Sequence, residues 1–321
     1  MKTTFCSLSA RLIALPSLPA LALVLALGAC NPPAKTGSYQ DPYGPVVWQP
    51  GNWTVIWQDE FDGDEGAAPD PTKWSFETGG SGWGNKELQN YTDSPTNSGL
   101  DGQGHLVITA RAEVSGDNDY TSARLTTKGK FSRAYGRFEA RMRLANGVGL
   151  WPAFWIMGDD VDTVGWPACG EMDIVEEMGS KPTAVSGSVH GSIAKNAPRT
   201  DAPATRWLDI PGGSDADFHV YAVEWDPDNI VFLLDEMPYM QITPARRPLW
   251  LWDHPFFMIV NLAVGGLFPG PPTAATVFPA TIAVDYVRVS VRAGDGGTDD
   301  ARGDDAADDD AGASDDGATS D

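Results

Sequence analysis

The chain reads as an all-β protein, a sandwich of antiparallel sheets, and three observations carry that prediction. Glycine and proline are abundant, 35 and 25 in 321 residues, so turns are frequent and long helices are disfavoured. From Trp53 to Arg292 the sequence runs as short stretches rich in β-branched and aromatic residues, separated by turn signals, which is the pattern of a many-stranded sandwich. No internal repeat and no amphipathic helical period interrupts it. With 42% hydrophobic residues, including 12 Trp and 12 Phe, one large β domain has ample material for a core.

Residues 1–29 have the layout of an export signal. Lys2 and Arg11 precede an apolar run from Leu12 to Ala29, and Pro16 and Pro19 within it argue against a membrane-spanning helix. The run ends in Leu27-Gly28-Ala29-Cys30, which resembles a bacterial lipobox, in which the cysteine is lipidated and becomes the first mature residue. The expectation is export and lipid anchoring through Cys30 to the cell envelope, at the outer membrane, with ordinary secretion as the alternative. Several acyl chains would hold such a protein stably where one alone is marginal. Cys6 leaves with the signal and a lipidated Cys30 cannot pair, so Cys169 stands alone and no disulfide is expected. Residues 30–50 carry five prolines and read as a tether.

The globular domain is assigned to 51–293. Thr54–Trp57 is a first short strand, followed by the acidic turn Asp59-Glu60-Phe61-Asp62-Gly63. Further strands are predicted at His105–Ala110, Gly136–Leu144, Val185–His190, His219–Trp225, Ile230–Asp235, Phe256–Ala263 and Ile282–Val291. In Arg137-Phe138-Glu139-Ala140-Arg141-Met142-Arg143 the charges occupy every second position, as one solvent-facing side of a strand requires. Residues 294–321 are low-complexity, with eleven Asp and no apolar side chain larger than Ala, and are expected to be a disordered acidic tail. Of the formal charge of −22, that tail holds −10 and the signal +2, leaving −14 on residues 31–293. Such a body argues against nucleic acid as a partner and against polyanionic substrates, which need positive grooves.

The chemistry concentrates in Gly170-Glu171-Met172-Asp173-Ile174-Val175-Glu176. Glu171 and Asp173 share a face of a regular strand, which would send Glu176 to the other face. A β-bulge near Ile174–Val175 returns Glu176 to the side of the first two. Two glutamates converging on one face, with an aspartate between them, are the minimal equipment for double-displacement glycoside hydrolysis; an edge strand with charges on its solvent face is the competing reading. Crowding three acids makes full ionisation unfavourable, so at least one should keep its proton.

Around this strand, Trp151 and Trp155 share a face if Leu150–Trp155 is extended, and tryptophans facing a groove can stack on sugar rings; core burial would explain the same spacing. Trp166 and Trp83, each beside a glycine, are further candidates. His190 falls on the next strand, within reach of a carboxylate or a sugar. His219 and His254 read as structural. Glu139 and Arg141 could line a polar cleft or form a surface ion pair, and Asn85 and Glu87 lie in a polar loop suited to sugar hydroxyls. Zinc, nucleotide-binding and serine-nucleophile motifs are absent from the sequence. Cys169, without a cysteine partner and next to an acidic strand, is a poor nucleophile.

These residues, read together, resemble glycoside hydrolase family 16 in its bulged-signature, laminarinase-like form. Gly170 to Glu176 looks like the family signature. Trp57-Gln58-Asp59-Glu60-Phe61, Asn85 with Glu87-Leu88-Gln89, Tyr135 to Arg141, Leu150 to Trp155, Phe218 to Trp225, Asn261 to Gly266 and Val284 to Val289 resemble further family segments in order and spacing. The resemblance implies a concanavalin A-like β-jelly-roll of two curved antiparallel sheets with the cleft on the concave one. It implies Glu171 as nucleophile, Glu176 as acid/base and Asp173 assisting, with no cofactor for catalysis. It also implies a monomer acting on internal bonds of β-1,3-glucan, and a structural calcium held near Glu60 and Asp285. A galactan hydrolase and a non-catalytic β-glucan-binding protein on the same fold are the alternatives. Leu267-Phe268 and residues 191–207 depart from the family pattern, so the end of the cleft that they form is expected to differ.

Overall fold

A computed structural model describes residues 44–247 and 249–293. The signal, Cys30 and the acidic tail lie outside these described residues. The predicted strands are present, most within two residues of their expected ends, and the helices among the described residues are a single turn at Val161–Val164 and a 3-10 turn at Pro244–Arg246.

Two antiparallel sheets form the sandwich. The first has seven strands in the order Ala204–Asp209, Ala184–His190, Glu171–Glu176, Leu150–Gly158, Phe256–Val264, Arg124–Thr126 and Ser75–Phe76. The second, of eight strands, runs Met237–Ile242, Asn229–Leu234, His219–Asp226, Gly136–Arg143, Ala280–Arg292, Leu106–Ala110 and Ser98–Leu100, with Trp53–Asp59 also pairing Ala280–Arg292. Phe256–Val264 is buried at every position, with Asn261 its one polar residue. Leu106–Ala110 alternates buried and half-buried residues, the signature of one face on the core. Phe138, Phe154, Phe232, Phe256, Trp225 and Trp252 fill the space between the sheets, each at most 2% exposed.

The topology bears on three expectations from the sequence. Glu139 and Arg141 do share a face, but their strand belongs to the eight-stranded sheet, between His219–Asp226 and Ala280–Arg292. There Glu139 pairs with the buried Arg137 at 2.6 Å and the partly exposed Arg141 pairs with Asp285, so both stand in ion pairs on the other sheet instead of lining the cleft. Glu60 and Asp285, the residues expected near a calcium ion, each face an arginine. Both Glu60 oxygens accept from Arg288, each at 2.8 Å, and Asp285 Oδ2 accepts from Arg141. The domain also starts earlier than residue 51. Val46 and Trp48 pack on Ala222, Val231 and Leu233. The Val47 amide donates to Gln241 Oε1 at 3.0 Å, and the Trp48 indole donates to Glu224 Oε2 at 2.6 Å. His219 and His254 have carboxylate partners, Asp235 at 2.7 Å and Asp160 at 3.2 Å, but neither histidine lines the cleft described below.

Candidate active site

The Glu171–Glu176 strand lies inside the seven-stranded sheet, between Leu150–Gly158 and Ala184–His190. Its register slips as the spacing requires. Asp173 stands opposite Trp155 while Val175 stands opposite Phe154, so two steps on one strand match one on the other, which is a β-bulge. Ile174 and Val175 both turn into the core, and Glu176 returns to the side of Glu171 and Asp173. Gly158 makes the neighbouring chain fit, because a Cβ there would lie 2.0 Å from the Cys169 carbonyl oxygen. Cys169 itself is buried, and burial together with Glu171 pushes its thiol up to about 12, which removes it as a nucleophile at neutral pH.

The three acids open into a cleft of about 560 Å³, whose walls include Asn85, Glu87, Trp151, Trp155, Trp166 and His190. Every residue expected to bind substrate from the sequence is therefore in the cleft, apart from Glu139 and Arg141. The tryptophans do more than offer flat rings. The Trp166 indole donates to Glu171 Oε2 at 3.0 Å, and the Trp151 indole donates to Glu176 Oε1 at 3.0 Å. Each glutamate is thus oriented by an N–H that cannot accept a proton in return. The Trp155 indole donates to Asn261 Oδ1 at 2.8 Å.

Burial dominates the electrostatics. It pushes Glu171 well above the ordinary carboxylate range, with the Asp173 charge adding to it, while His190 and the Trp166 N–H oppose the rise. Burial and Asp173 likewise push Glu176 up to about 8 against the pull of His190, Trp151 and Ser188. At least one proton therefore stays on this group of carboxyls through the neutral range. Burial disfavours a charge on His190, but hydrogen bonds to Asp173 and Asp201 outweigh it and raise the imidazole to about 11. A cation consequently sits against the acids at neutral pH. Among the described residues, Glu171, Asp173 and His190 are the only three potential metal ligands gathered together, their ligand atoms all within 4.8 Å of one another. Glu171 with Glu176 also meets the need of double-displacement hydrolysis, which takes two carboxyl groups and water.

Three features escaped the sequence reading. Arg124 lies between two indoles, its guanidinium carbon 4.7 Å from the rings of both Trp83 and Trp155, and pairs with Glu77. One face of Trp155 is thereby covered. Asn261 joins Trp155 to Tyr91, whose hydroxyl meets Glu87 at 3.3 Å; Glu87 also accepts from Gln89 and Asn85. Phe268, one of the residues departing from the family pattern, stacks between Trp151 at 5.0 Å and Trp207 at 5.9 Å, building an aromatic wall on the Glu176 side. Alternation in Arg124-Leu125-Thr126 was the one signal that could have flagged Arg124; nothing local marks the contact between Phe268 and Trp207.

Comparison with known proteins agrees with this geometry. The family profile of glycosyl hydrolases family 16 matches residues 84–288. A β-glucanase of Rhodothermus marinus is 42% identical over 249 residues, covering 74% of this chain and 85% of that protein. A glucan endo-1,3-β-glucosidase of Cryptopygus antarcticus is 38% identical over 257 residues, covering 74% and 92%. The laminarinase catalytic domain of Thermotoga maritima superposes with a TM-score of 0.69 at 40% identity, covering 75% of this chain and 99% of that domain.

Proposed function

The chain belongs to glycosyl hydrolases family 16, and from that premise we propose that it is an endo-acting, retaining hydrolase of internal β-1,3-glucosidic bonds. The observation that carries this reading is the bulged strand, which brings Glu171, Asp173 and Glu176 to one face of a tryptophan-lined cleft. The relatives named for β-glucan, 1,3-β-glucan and laminarin support the substrate. A body carrying −14 disfavours a sulfated galactan, and Arg124 in the cleft is engaged by Glu77 and two indoles.

In the first step the proton that the pair shares sits on Glu176, while the facing His190 and the Trp166 N–H hold Glu171 as the carboxylate that attacks the anomeric carbon. Glu176, carrying the proton, protonates the departing glycosidic oxygen, giving a covalent glycosyl-enzyme. In the second step the Glu176 carboxylate takes a proton from water, which attacks the same carbon and releases Glu171. Asp173, buried and paired with His190 at 3.3 Å, stands close enough to both glutamates to raise their hold on the proton. No cofactor enters either step. The reading includes export and lipid anchoring at Cys30, supported by the signal-like residues 1–29; Cys30→Ser should then move the protein from the membrane fraction to the soluble one.

Incubation of the protein with laminarin, lichenan, agarose and carrageenan, scoring reducing ends, tests the assignment. Release from laminarin is expected; release from agarose alone would make it a galactan hydrolase, and release from none would make it a binding protein. Glu171→Ala should abolish hydrolysis in a folded protein, with azide restoring turnover as an α-glycosyl azide. Near-normal activity in that variant would remove Glu171 as the nucleophile.

A further inference from the structure

Asp201 belongs to residues 191–207, the stretch that departs from the family pattern. It ends the Ala197–Asp201 strand of a two-stranded ribbon with Ser192–Ala194. Ser192 stands opposite Asp201, and the Ala202 amide donates to the Gly191 carbonyl at 3.0 Å, so the ribbon folds back onto the end of the His190 strand. Both carboxylate oxygens are engaged there. Oδ2 lies 2.6 Å from His190 Nδ1, and Oδ1 accepts from the Gly191 amide at 3.0 Å. A carboxylate tied at both oxygens cannot swing away without losing one of these bonds.

The other imidazole nitrogen, Nε2, lies 3.3 Å from Asp173 Oδ2. Asp173 is 4% exposed, and this oxygen makes no hydrogen bond, so the ion-pair contact with His190 is what faces it. An imidazole with a carboxylate at each nitrogen satisfies both only when both nitrogens carry hydrogen and donate. The groups facing His190 are Glu171 and Asp173 from one neighbouring strand, Asp201 from the ribbon, and the Trp166 ring at 6.2 Å.

We propose that Asp201 is a positioning residue for the hydrolytic centre: it fixes the His190 ring, and the ring in turn holds Asp173 between the two glutamates. Asp201 does not itself line the cleft, so its loss should leave substrate binding nearly intact and act on turnover. Asp201→Asn keeps the size and removes the charge. The imidazole then donates to a neutral amide, and Asp173 loses the fixed partner that sets its orientation. Residues that orient a catalytic or ligating imidazole from behind cost roughly ten- to hundredfold or more when replaced. We expect kcat on laminarin to fall by about that much in Asp201→Asn and Asp201→Ala, with KM changed less than about threefold.

The inference rests on the hydrolase reading, and a second measurement separates the two. In ¹⁵N-resolved NMR of the imidazoles, assigned by His190→Gln, the wild-type protein should show both His190 nitrogens bearing hydrogen at pH 7, and both Asp201 variants should lose the downfield Nδ1 proton. If the wild type releases no sugar from any glucan, the hydrolase reading fails, while the spectrum still decides whether Asp201 holds His190. An unchanged His190 spectrum in the variants, wild-type kcat in a folded Asp201→Asn, or a loss confined to KM would each overturn the proposal.

Discussion

Glu177 follows the acid/base candidate directly, and adjacent residues of an extended chain face opposite ways. Glu176 opens into the cleft, and Glu177 is sealed in the protein at 0% exposure. Its partners are few. Ser214 Oγ donates to Oε2, Oε1 has no hydrogen bond, and the buried Tyr221 hydroxyl, also unpaired, is close enough for Glu177 to help push its ionisation upward. Burial, with a smaller push from Asp215 and against the pull of Ser214, raises the Glu177 carboxyl from 4.5 to about 8. Between those values the folded protein holds a proton that the unfolded chain has released, so stability falls as pH rises. Integrated from pH 5 to pH 8, the loss is roughly 3–4 kcal/mol. Glu177→Gln keeps the shape and the acceptor for Ser214 and removes the titration. Other groups titrate equally in both proteins, so the difference between them isolates this residue. Guanidinium unfolding at pH 5 and pH 8 should show the variant gaining about 3–4 kcal/mol on the wild type at the higher pH, or roughly 10 °C in melting temperature for a domain of this size. A difference between the two proteins that is the same at both pH values would refute the reasoning.

Two further outcomes are expected. Glu176 must hold its proton to act as the acid, and burial with Asp173 sets that proton's loss near pH 8; kcat on laminarin should therefore fall about tenfold per pH unit above that point. An aryl β-glycoside whose leaving group needs no protonation should keep its rate over the same range, and a flat laminarin profile to pH 10 in a folded protein would remove Glu176 from the role. On the opposite sheet, Trp48→Ala deletes the indole that caps Glu224 and covers Ala222, Val231 and Leu233. With Trp48 only half-buried, the cost should be about 1–3 kcal/mol in denaturant unfolding, with kcat unchanged.

What was legible in the sequence and what was not divides along a physical line. A period of two tells which residues of one strand share a face, so the three acids and the need for a bulge could be read from six consecutive residues. The same counting placed Glu139 with Arg141, correctly, but cannot say which sheet a strand joins, and theirs joined the one without the cleft. The surroundings of Glu60 and Asp285 were hidden for a related reason. Whether a carboxylate is available to a metal depends on what stands opposite, and for Glu60 and Asp285 that is an arginine 228 and 144 residues away in sequence. Asp201 and Arg124 were missed because each acts through a side chain brought close by folding.

The tryptophans carry the argument furthest. As rings they suit sugar stacking, and their spacing gave no reason to ask where the indole N–H points. In the fold, two of them direct that single donor at Glu171 and Glu176, while a third is half covered by Arg124. A glutamate that must be an anion at one step and an acid at another needs a donor that stabilises the anion without itself exchanging a proton. Indole N–H meets that requirement, since it donates and cannot accept. The residues that hold the sugar and the residues that tune the acids are thus in part the same, and substitutions at Trp151 or Trp166 should disturb turnover as well as binding.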